Sequence, residues 1–151
     1  MNEQRVLGLD YGDRTVGVAV SDILGITAQS LETIRRDGAE VFKPVIKRIR
    51  EIVAEYNIVE IVLGYPKNMN NTLGERCRKT EEFKTRLENT TRLPVVLWDE
   101  RLSTMAVERS FIEANVRREK RKNIVDRQAA AFILQGYLDY RRGMTENKLR
   151  T

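Results

Sequence analysis

The sequence predicts an α/β fold built on a mixed five-stranded sheet with helices on both faces. Two observations predict it. Three strand-like segments come first, and the first two are close enough to pair as an antiparallel hairpin. Strands then alternate with helical segments, and this order needs parallel pairing through crossovers. The chain has 151 residues, which suits one domain with a substantial core.

The opening strands are apolar runs bounded by turn residues. Residues 5–10 are typical of a buried strand, and residues 16–20 of a second one. Between them, Tyr11-Gly12-Asp13 predicts the turn of a hairpin. Residues 26–34 are a weaker candidate for a third strand, and the Asp-Gly pair at 37–38 marks a break after it.

The rest of the chain alternates between helical and strand-like patterns. Apolar residues recur at helical spacing over 39–56, and Pro44 is tolerated because it lies near the start of that helix. The β-branched run 58–63, ended by Gly64, is typical of a strand covered on both faces. We expect a strand over 95–98 and helices over 73–88, 103–115 and 124–142. The apolar stripe of the last helix comprises Val125, Ala129, Phe132, Ile133, Gly136 and Tyr137.

The composition excludes several classes of site. The chain has no histidine, so His-ligated zinc, Ser-His triads and histidine general bases are excluded. Its single cysteine, Cys77, cannot form an intrachain disulfide and favours a reducing compartment. The N-terminus has no secretory pattern, and no apolar stretch approaches the length of a membrane span. We therefore expect a cytoplasmic protein with no membrane partner, as a monomer or weak homodimer.

The net charge of +5 suggests a polyanionic partner. The cations are unevenly placed, and the densest run leads directly into Asp126. A solvated charged surface is the alternative interpretation, but this position favours contact with nucleic acid. The run comprises Arg117, Arg118, Lys120, Arg121, Lys122 and Arg127. We expect a single domain over residues 1–142 and a basic, flexible tail over 143–151.

Three carboxylates are the candidates for chemistry. Asp10 and Glu100 each follow an apolar run, and Asp126 opens a helical one, so the fold should bring them to a common edge. Three carboxylates at one point repel each other unless a cation joins them, and hard oxygen ligands suit Mg²⁺ or Mn²⁺. Such a metal beside a basic surface suggests phosphodiester chemistry. Taken singly, Asp10 is more simply a turn former before Gly12, and Asp126 is equally a residue that stabilises a helix N-terminus.

Five segments of the chain resemble the YqgF/RuvX family. They occur in the family's order and span nearly the whole chain, and together they are specific although each alone is weak. They are Leu-Gly-Leu-Asp-Tyr-Gly at 7–12, Gly-Val-Ala-Val-Ser-Asp at 17–22, Gly-Tyr-Pro-Lys-Asn-Met-Asn at 64–70, Trp-Asp-Glu-Arg-Leu-Ser-Thr at 98–104 and Ile-Val-Asp-Arg-Gln-Ala-Ala-Ala at 124–131.

The resemblance implies a ribonuclease H-like fold and a metal-dependent nuclease. The substrate that it implies is either the 5′ end of the 16S rRNA precursor, which we favour, or a four-way DNA junction. By family position, Asp10, Glu100 and Asp126 are the catalytic, metal-binding carboxylates. Two ions of Mg²⁺ or Mn²⁺ are expected, with Asp10 between them and the other carboxylates holding one each.

Seven further residues are candidates for substrate binding: Thr15, Lys67, Asn68, Arg101, Arg118, Arg121 and Lys122. Each has an alternative role. The lysines and arginines are equally solvated surface charges or ion-pair partners, Asn68 shapes a loop, and Thr15 pairs strands. The chain also departs from the family pattern after the fourth strand. Tyr65 stands where leucine is usual, and Asn-Asn-Thr at 70–72 replaces Asp-Gly-Thr, which bears on substrate fit more than on catalysis.

Two other classes of function compete. Residues 10–15 also resemble the phosphate loop of actin-like phosphotransferases, but that class needs a second such domain and an adenosine site. The other rival is a non-catalytic nucleic-acid-binding module in which the acids are structural. A metal titration distinguishes this module from a metal-dependent nuclease, because the module binds RNA or DNA equally well without a divalent ion and cuts nothing.

Overall fold

The computed structural model describes residues 4–12, 14–36, 42–65, 75–99 and 128–143. Its strands are β1 (Arg5–Tyr11), β2 (Thr15–Ser21), β3 (Ala28–Arg35), β4 (Ile58–Tyr65) and β5 (Val95–Asp99). Its helices are α1 (Lys43–Glu55), α2 (Glu75–Thr91) and a helix over residues 128–143, here α3. No helix within these ranges is long and apolar enough to cross a membrane.

The strands form one mixed sheet in the order β3-β2-β1-β4-β5. The pairs β1–β2 and β2–β3 are antiparallel, whereas β4 runs parallel to both β1 and β5. The predicted mixed five-stranded sheet is confirmed, and β1 is its central strand. Because β1, β4 and β5 are parallel, their C-terminal ends lie at the same edge of the sheet.

The two faces of the sheet carry separate apolar cores. On one face, Leu7 and Leu9 pack with Ile49 of α1 and Phe83 of α2. On the other face, Val6 and Val62 pack with residues of α3. Successive side chains of a strand point to opposite faces. Residues 6, 8 and 10 of β1 therefore share the face that α3 covers.

Most elements differ slightly from their predicted bounds, and the differences at α1, β3 and α2 are the ones of interest here. The helix predicted over 39–56 is α1, which begins at Lys43 with Pro44 in its first turn, where a missing N–H costs nothing. The strand predicted from residue 26 begins at Ala28, because the Asp22 carboxylate accepts the backbone N–H groups of residues 26 and 27 in a turn. Helix α2 continues to Thr91, three residues beyond its predicted end at 88. The helix predicted over 103–115 lies outside the ranges that the structure describes.

The buried stripe of α3 is rotated from the predicted one. Ile133 and Tyr137 are buried as predicted, whereas Ala129, Phe132 and Gly136 are only half-buried. The buried residues of α3 are Ala130, Ile133, Leu134, Tyr137 and Leu138. The rotation follows from the contact of this helix with a glycine of β1, described below. Val125, which was also predicted on this stripe, lies outside the described ranges.

An ion pair between Glu32 of β3 and Arg48 of α1 makes part of the stability depend on pH. The Arg48 Nη2 lies 2.6 Å from Glu32 Oε1, and the Arg48 Nε donates to Glu32 Oε2 at 3.0 Å. These hydrogen bonds hold the pKa of the Glu32 carboxyl below its usual range. A carboxylate with a depressed pKa stabilises the fold above its unfolded-state pKa, and this contribution disappears as pH falls through the folded-state pKa.

We expect Glu32→Gln to lower the melting temperature at pH 7 by at most about 2–4 °C, since partly exposed pairs contribute about 1 kcal/mol or less. The difference from wild type should shrink as pH falls below about 4. Glu88→Gln is the control, because Glu88 pairs with Lys84 at a longer 3.5 Å and should matter less at every pH. Melting curves between pH 3 and pH 8 measure this. A deficit in Glu32→Gln that is constant over this range contradicts the prediction.

Candidate functional site

Asp10 is the next-to-last residue of β1 and is half-buried. The neighbouring strands β4 and β5 extend to the same edge of the sheet as β1. Leu63 of β4 lies beside Leu9, and Leu97 of β5 lies beside Leu63. The strand β5 ends one residue before Glu100 in the chain. The predicted edge of the sheet, where the C-terminal ends of parallel strands meet, therefore carries Asp10 and the end of β5.

Two glycines bring α3 close to Asp10. A Cβ atom on Gly8 would lie 2.7 Å from the Leu134 Cβ and 3.1 Å from the carbonyl oxygen of Ala130. Gly17 is the β2 partner of Asp10, and a Cβ there would lie 3.5 Å from the Ala130 Cβ and 3.6 Å from the Asp10 Cβ. The first turn of α3 in the described range therefore packs directly beside Asp10. Asp126 precedes that turn by two residues in the chain.

The hairpin after Asp10 carries Thr15. The Gly12 N–H donates to the Thr15 carbonyl oxygen at 2.9 Å and closes the turn. Thr15 is exposed. Because side chains alternate along β2, it lies on the same face as Gly17 and Asp10. This position is compatible with both predicted roles of Thr15, which are to bind substrate or to pair the strands.

A residue that sequence reasoning missed, Arg36, anchors this hairpin. Its side chain is only 7% exposed. Its Nη1 donates to the Gly12 carbonyl oxygen at 2.5 Å, and its backbone N–H donates to the Arg14 carbonyl oxygen at 2.8 Å. The guanidinium also lies 4.4 Å from the centroid of the Tyr11 ring. Arg36 thus holds the turn that follows Asp10, and a buried, multiply bonded arginine of this kind costs much to remove.

The family departure at Tyr65 has a structural role. Tyr65 is buried at the end of β4 and shares a face with Leu63 and Ile61, away from Asp10. Its hydroxyl donates to Glu81 Oε1 of α2 at 2.8 Å. Burial, together with this bond to a carboxylate, raises the pKa of the Tyr65 hydroxyl. The tyrosine therefore joins the end of β4 to α2.

The far end of α3 is held by aromatic and charged contacts. Tyr137 packs edge-on against Trp98 of β5, with ring centroids 5.8 Å apart. Its hydroxyl donates to Glu60 Oε1 at 2.9 Å, and Arg141 Nη1 reaches the same oxygen at 2.9 Å. Burial and the bond to Glu60 raise the pKa of the Tyr137 hydroxyl. Tyr137, which was predicted on the apolar stripe of this helix, is buried in the α3 cluster, and Trp98 is partly buried against it.

Of the predicted site residues, the structure describes Asp10 and Thr15. The others lie outside the described ranges: Lys67, Asn68, Glu100, Arg101, Arg118, Arg121, Lys122 and Asp126. Within those ranges no three acidic or thiol side chains converge as a metal site. The three-carboxylate cluster therefore stays a prediction, supported by the placement of Asp10, the end of β5 and the first described turn of α3.

Comparison with known families matches residues 4–140 to the model of RuvX, described as "Holliday junction resolvase". The chain belongs to the RuvX family. The match covers every segment that carried the resemblance, from the Asp10 strand to the helix beyond Asp126. The resemblance to the YqgF/RuvX family is confirmed.

Two relatives and one solved structure illustrate the similarity of this RuvX chain. A protein of Agathobacter rectalis with the name "Putative pre-16S rRNA nuclease" is 60% identical over 136 residues, covering 90% of this chain and 95% of the relative. A protein of Geobacillus kaustophilus with the same name is 56% identical over 138 residues, covering 91% and 99%. The structure of Thermus thermophilus RuvC in complex with Holliday junction substrate is similar with a TM-score of 0.55 at 16% identity, covering 93% and 96%. This last likeness confirms the ribonuclease H-like fold.

Proposed function

We propose that this RuvX-family chain is a divalent-metal-dependent nuclease that processes the 5′ end of pre-16S rRNA. The observation that carries the proposal is similarity over about nine-tenths of the chain to relatives with that name, 60% identical in one case. The position of Asp10 supports it. A half-buried carboxylate at the end of the central strand is suited to binding a cation and poorly suited to a core.

Asp10, Glu100 and Asp126 are the residues that would hold Mg²⁺ or Mn²⁺, in our proposal as two ions. Bound there, the metal would activate water and stabilise charge on the phosphodiester. The chain itself supplies oxygen ligands and a rigid support. Gly8 and Gly17 let α3 approach Asp10 closely, and Arg36 fixes the turn after it. Since the chain has no histidine, no histidine side chain can act as a general base in this reaction.

In our proposal, the polar and cationic candidate residues bind the substrate near the metal site. We assign phosphate contacts to Lys67, Arg101 and the basic segment 117–122, with Arg118, Arg121 and Lys122 as its main cations. Asn68 and Thr15 supply neutral hydrogen-bonding groups. We further propose one nuclease domain over 1–142, a basic tail over 143–151, and a cytoplasmic protein that is a monomer or weak homodimer.

We expect cleavage of a precursor rRNA fragment with Mn²⁺ or Mg²⁺ and none in excess EDTA. Ca²⁺ should support binding with little turnover, because its looser coordination misplaces water and phosphate. The assay uses purified protein, with a labelled rRNA fragment and a four-way DNA junction side by side. Full activity in EDTA contradicts the metal mechanism, and binding without any cutting favours a non-catalytic module.

Holliday junction resolution is the second candidate, and the description of the family model favours it. The same metal-binding carboxylates serve DNA and RNA equally well, so the chemistry does not separate the two substrates. The side-by-side assay does. Cutting of the four-way junction at symmetric positions, with the rRNA fragment left intact, would replace our first proposal with this one.

A further inference from the structure

A groove of about 350 Å³ lies between α1 and α2. Both helices pack on the face of the sheet opposite α3, because their apolar residues belong to the core that includes Leu7 and Leu9. Asp10 faces the other way, toward α3. The groove is therefore separate from the candidate metal site.

Among the residues that the structure describes, four cations line this groove and no carboxylate does. Three of them, Lys43, Lys47 and Arg50, are exposed and follow one another along α1 at spacings of four and three residues, which places them on one stripe. Among the described parts of the chain, these three side chains form no ion pair. Arg48 on the same helix is different, because Glu32 and Glu51 both pair with it. The groove thus concentrates positive charge that no ion pair of the described residues neutralises along α1.

The opposite wall of the groove presents a fixed guanidinium. Arg86 of α2 stacks over the ring of Phe42 with its Cζ 4.5 Å from the centroid. Its single ion pair in the described ranges, with Glu82 on the outer side of α2, is long at 3.5 Å and exposed. Asn89 and Thr90 add neutral hydrogen-bonding groups to the same wall. A planar guanidinium held by stacking is well suited to phosphate oxygens.

We propose that this groove binds the phosphodiester backbone of the nucleic-acid substrate on the face of the sheet opposite the proposed site of cleavage. The stripe from Lys43 to Arg50 spans about 10 Å at a rise of 1.5 Å per residue. Lysine and arginine side chains are long and flexible, so each of the three cations on this stripe can reach a separate phosphate of one strand. Phosphates carry no base identity, so the groove should bind without sequence preference.

The two-sided arrangement selects for large substrates. Helix layers on opposite faces of a sheet are separated by roughly 20 Å, about twice the spacing between packed layers. Phe42 of the groove stacks on Tyr11, the residue after Asp10, with ring centroids 6.4 Å apart, so the groove begins beside the Asp10 edge but on the opposite face of the sheet. We expect a long folded RNA to pass around this edge and contact both faces, and an oligonucleotide of a few nucleotides to contact the Asp10 face alone. This inference rests on the proposed function in so far as the partner is nucleic acid, but it does not depend on where or whether the chain cuts.

The test compares two triple variants with the same charge change. The groove variant is Lys43→Gln, Lys47→Gln and Arg50→Gln. The control variant is Lys79→Gln, Lys84→Gln and Arg142→Gln, whose positions lie outside the groove. Fluorescence anisotropy in EDTA measures binding of a long precursor-rRNA fragment and of a short oligonucleotide across a salt series. Melting curves check that both variants fold.

For the long RNA, the groove variant should lose about 10-fold or more in affinity, and its salt slope should flatten by about two to three. The control variant should change little, and binding of the short oligonucleotide should be the same in both. Equal losses in the two variants, or an unaltered slope in the groove variant, overturn the proposal. Displacement of the long RNA from the groove by millimolar inorganic phosphate or mononucleotide also overturns it, in favour of a small-anion pocket.

A cleavage arm with Mn²⁺ and the short oligonucleotide keeps the two proposals apart. The groove variant and the control variant carry the same charge change, so they should cut this substrate with the same kcat and KM. If the wild-type chain cuts nothing, the proposed nuclease function fails, while the binding comparison in EDTA still decides the groove. If cutting is normal and the two variants bind the long RNA alike, only the groove proposal fails.

Discussion

Asp10→Asn should abolish cleavage and leave the fold intact. The substitution is nearly isosteric, so the half-buried position at the end of β1 should accept it, whereas the lost charge removes the proposed central ligand for a cation. We expect the cleavage rate with Mn²⁺ to fall by at least about 10²–10³-fold, the scale seen when one group that stabilises the transition state is removed. Cleavage time courses and melting curves on the same preparation measure the two effects.

Asp139→Asn is the matched control for this variant. It removes the same charge from an exposed position on α3 and costs one surface ion pair with Arg142, so it should cut at the wild-type rate. The assay extends to Glu100→Gln and Asp126→Asn, which should lose activity as Asp10→Asn does. Wild-type cleavage by any of these three variants removes that residue from the catalytic set.

Gly8→Ala should both destabilise the protein and impair cleavage. The new methyl group would lie 2.7 Å from the Leu134 Cβ, closer than two carbon atoms can pack, and 3.1 Å from the backbone carbonyl oxygen of Ala130. Forcing an extra methyl group into a packed core costs about 1–3 kcal/mol, which lowers the melting temperature by about 2–12 °C. Relief requires α3 to move away from β1. Misplacing a catalytic group by about 1 Å can lower a rate 10²-fold. We therefore expect a large loss in cleavage rate even at temperatures where the variant is still folded.

Gly17→Ala provides the comparison for stability. A methyl group there would meet the Ala130 and Asp10 side chains at 3.5 and 3.6 Å, which are ordinary contact distances, so its melting temperature should stay within a few degrees of wild type. Thermal melts of the two variants at equal concentration are the measurement. If Gly8→Ala melts no lower than Gly17→Ala, the close contact between β1 and α3 does not determine where the helix lies.

The sequence predicted the sheet and the edge that carries Asp10, because both depend on local patterns. Apolar runs ended by turn residues determine where strands stop, and the order of strands and helices determines which strands are parallel. The prediction of which side of α3 is buried was partly wrong, for a physical reason. Leu134 is buried because Gly8, far away in the chain, leaves room for it, and no periodicity within the helix contains that information.

Arg36 and the groove cations were not predictable for a related reason. In the sequence, Arg36 is one of 27 basic residues; its burial depends on the Tyr11 ring and the Gly12 carbonyl, which meet it only in the folded sheet. Likewise, Arg86 joins the stripe of α1 only because α1 and α2 pack side by side. The family resemblance directed attention to the carboxylates, and neither feature belongs to the motifs that carried it.

The strand order determines which side of the candidate site loses its structure first on heating. The strand β1 is hydrogen-bonded on both sides, so the backbone around Asp10 should open only when the whole domain unfolds. The shorter β5 pairs with β4 alone in the described sheet, so its end frays at a lower free-energy cost. Heat should therefore disorder the β5 side of the edge before the Asp10 side, and catalytic competence should be lost at temperatures where most of the amide protons of β1 are still protected from exchange.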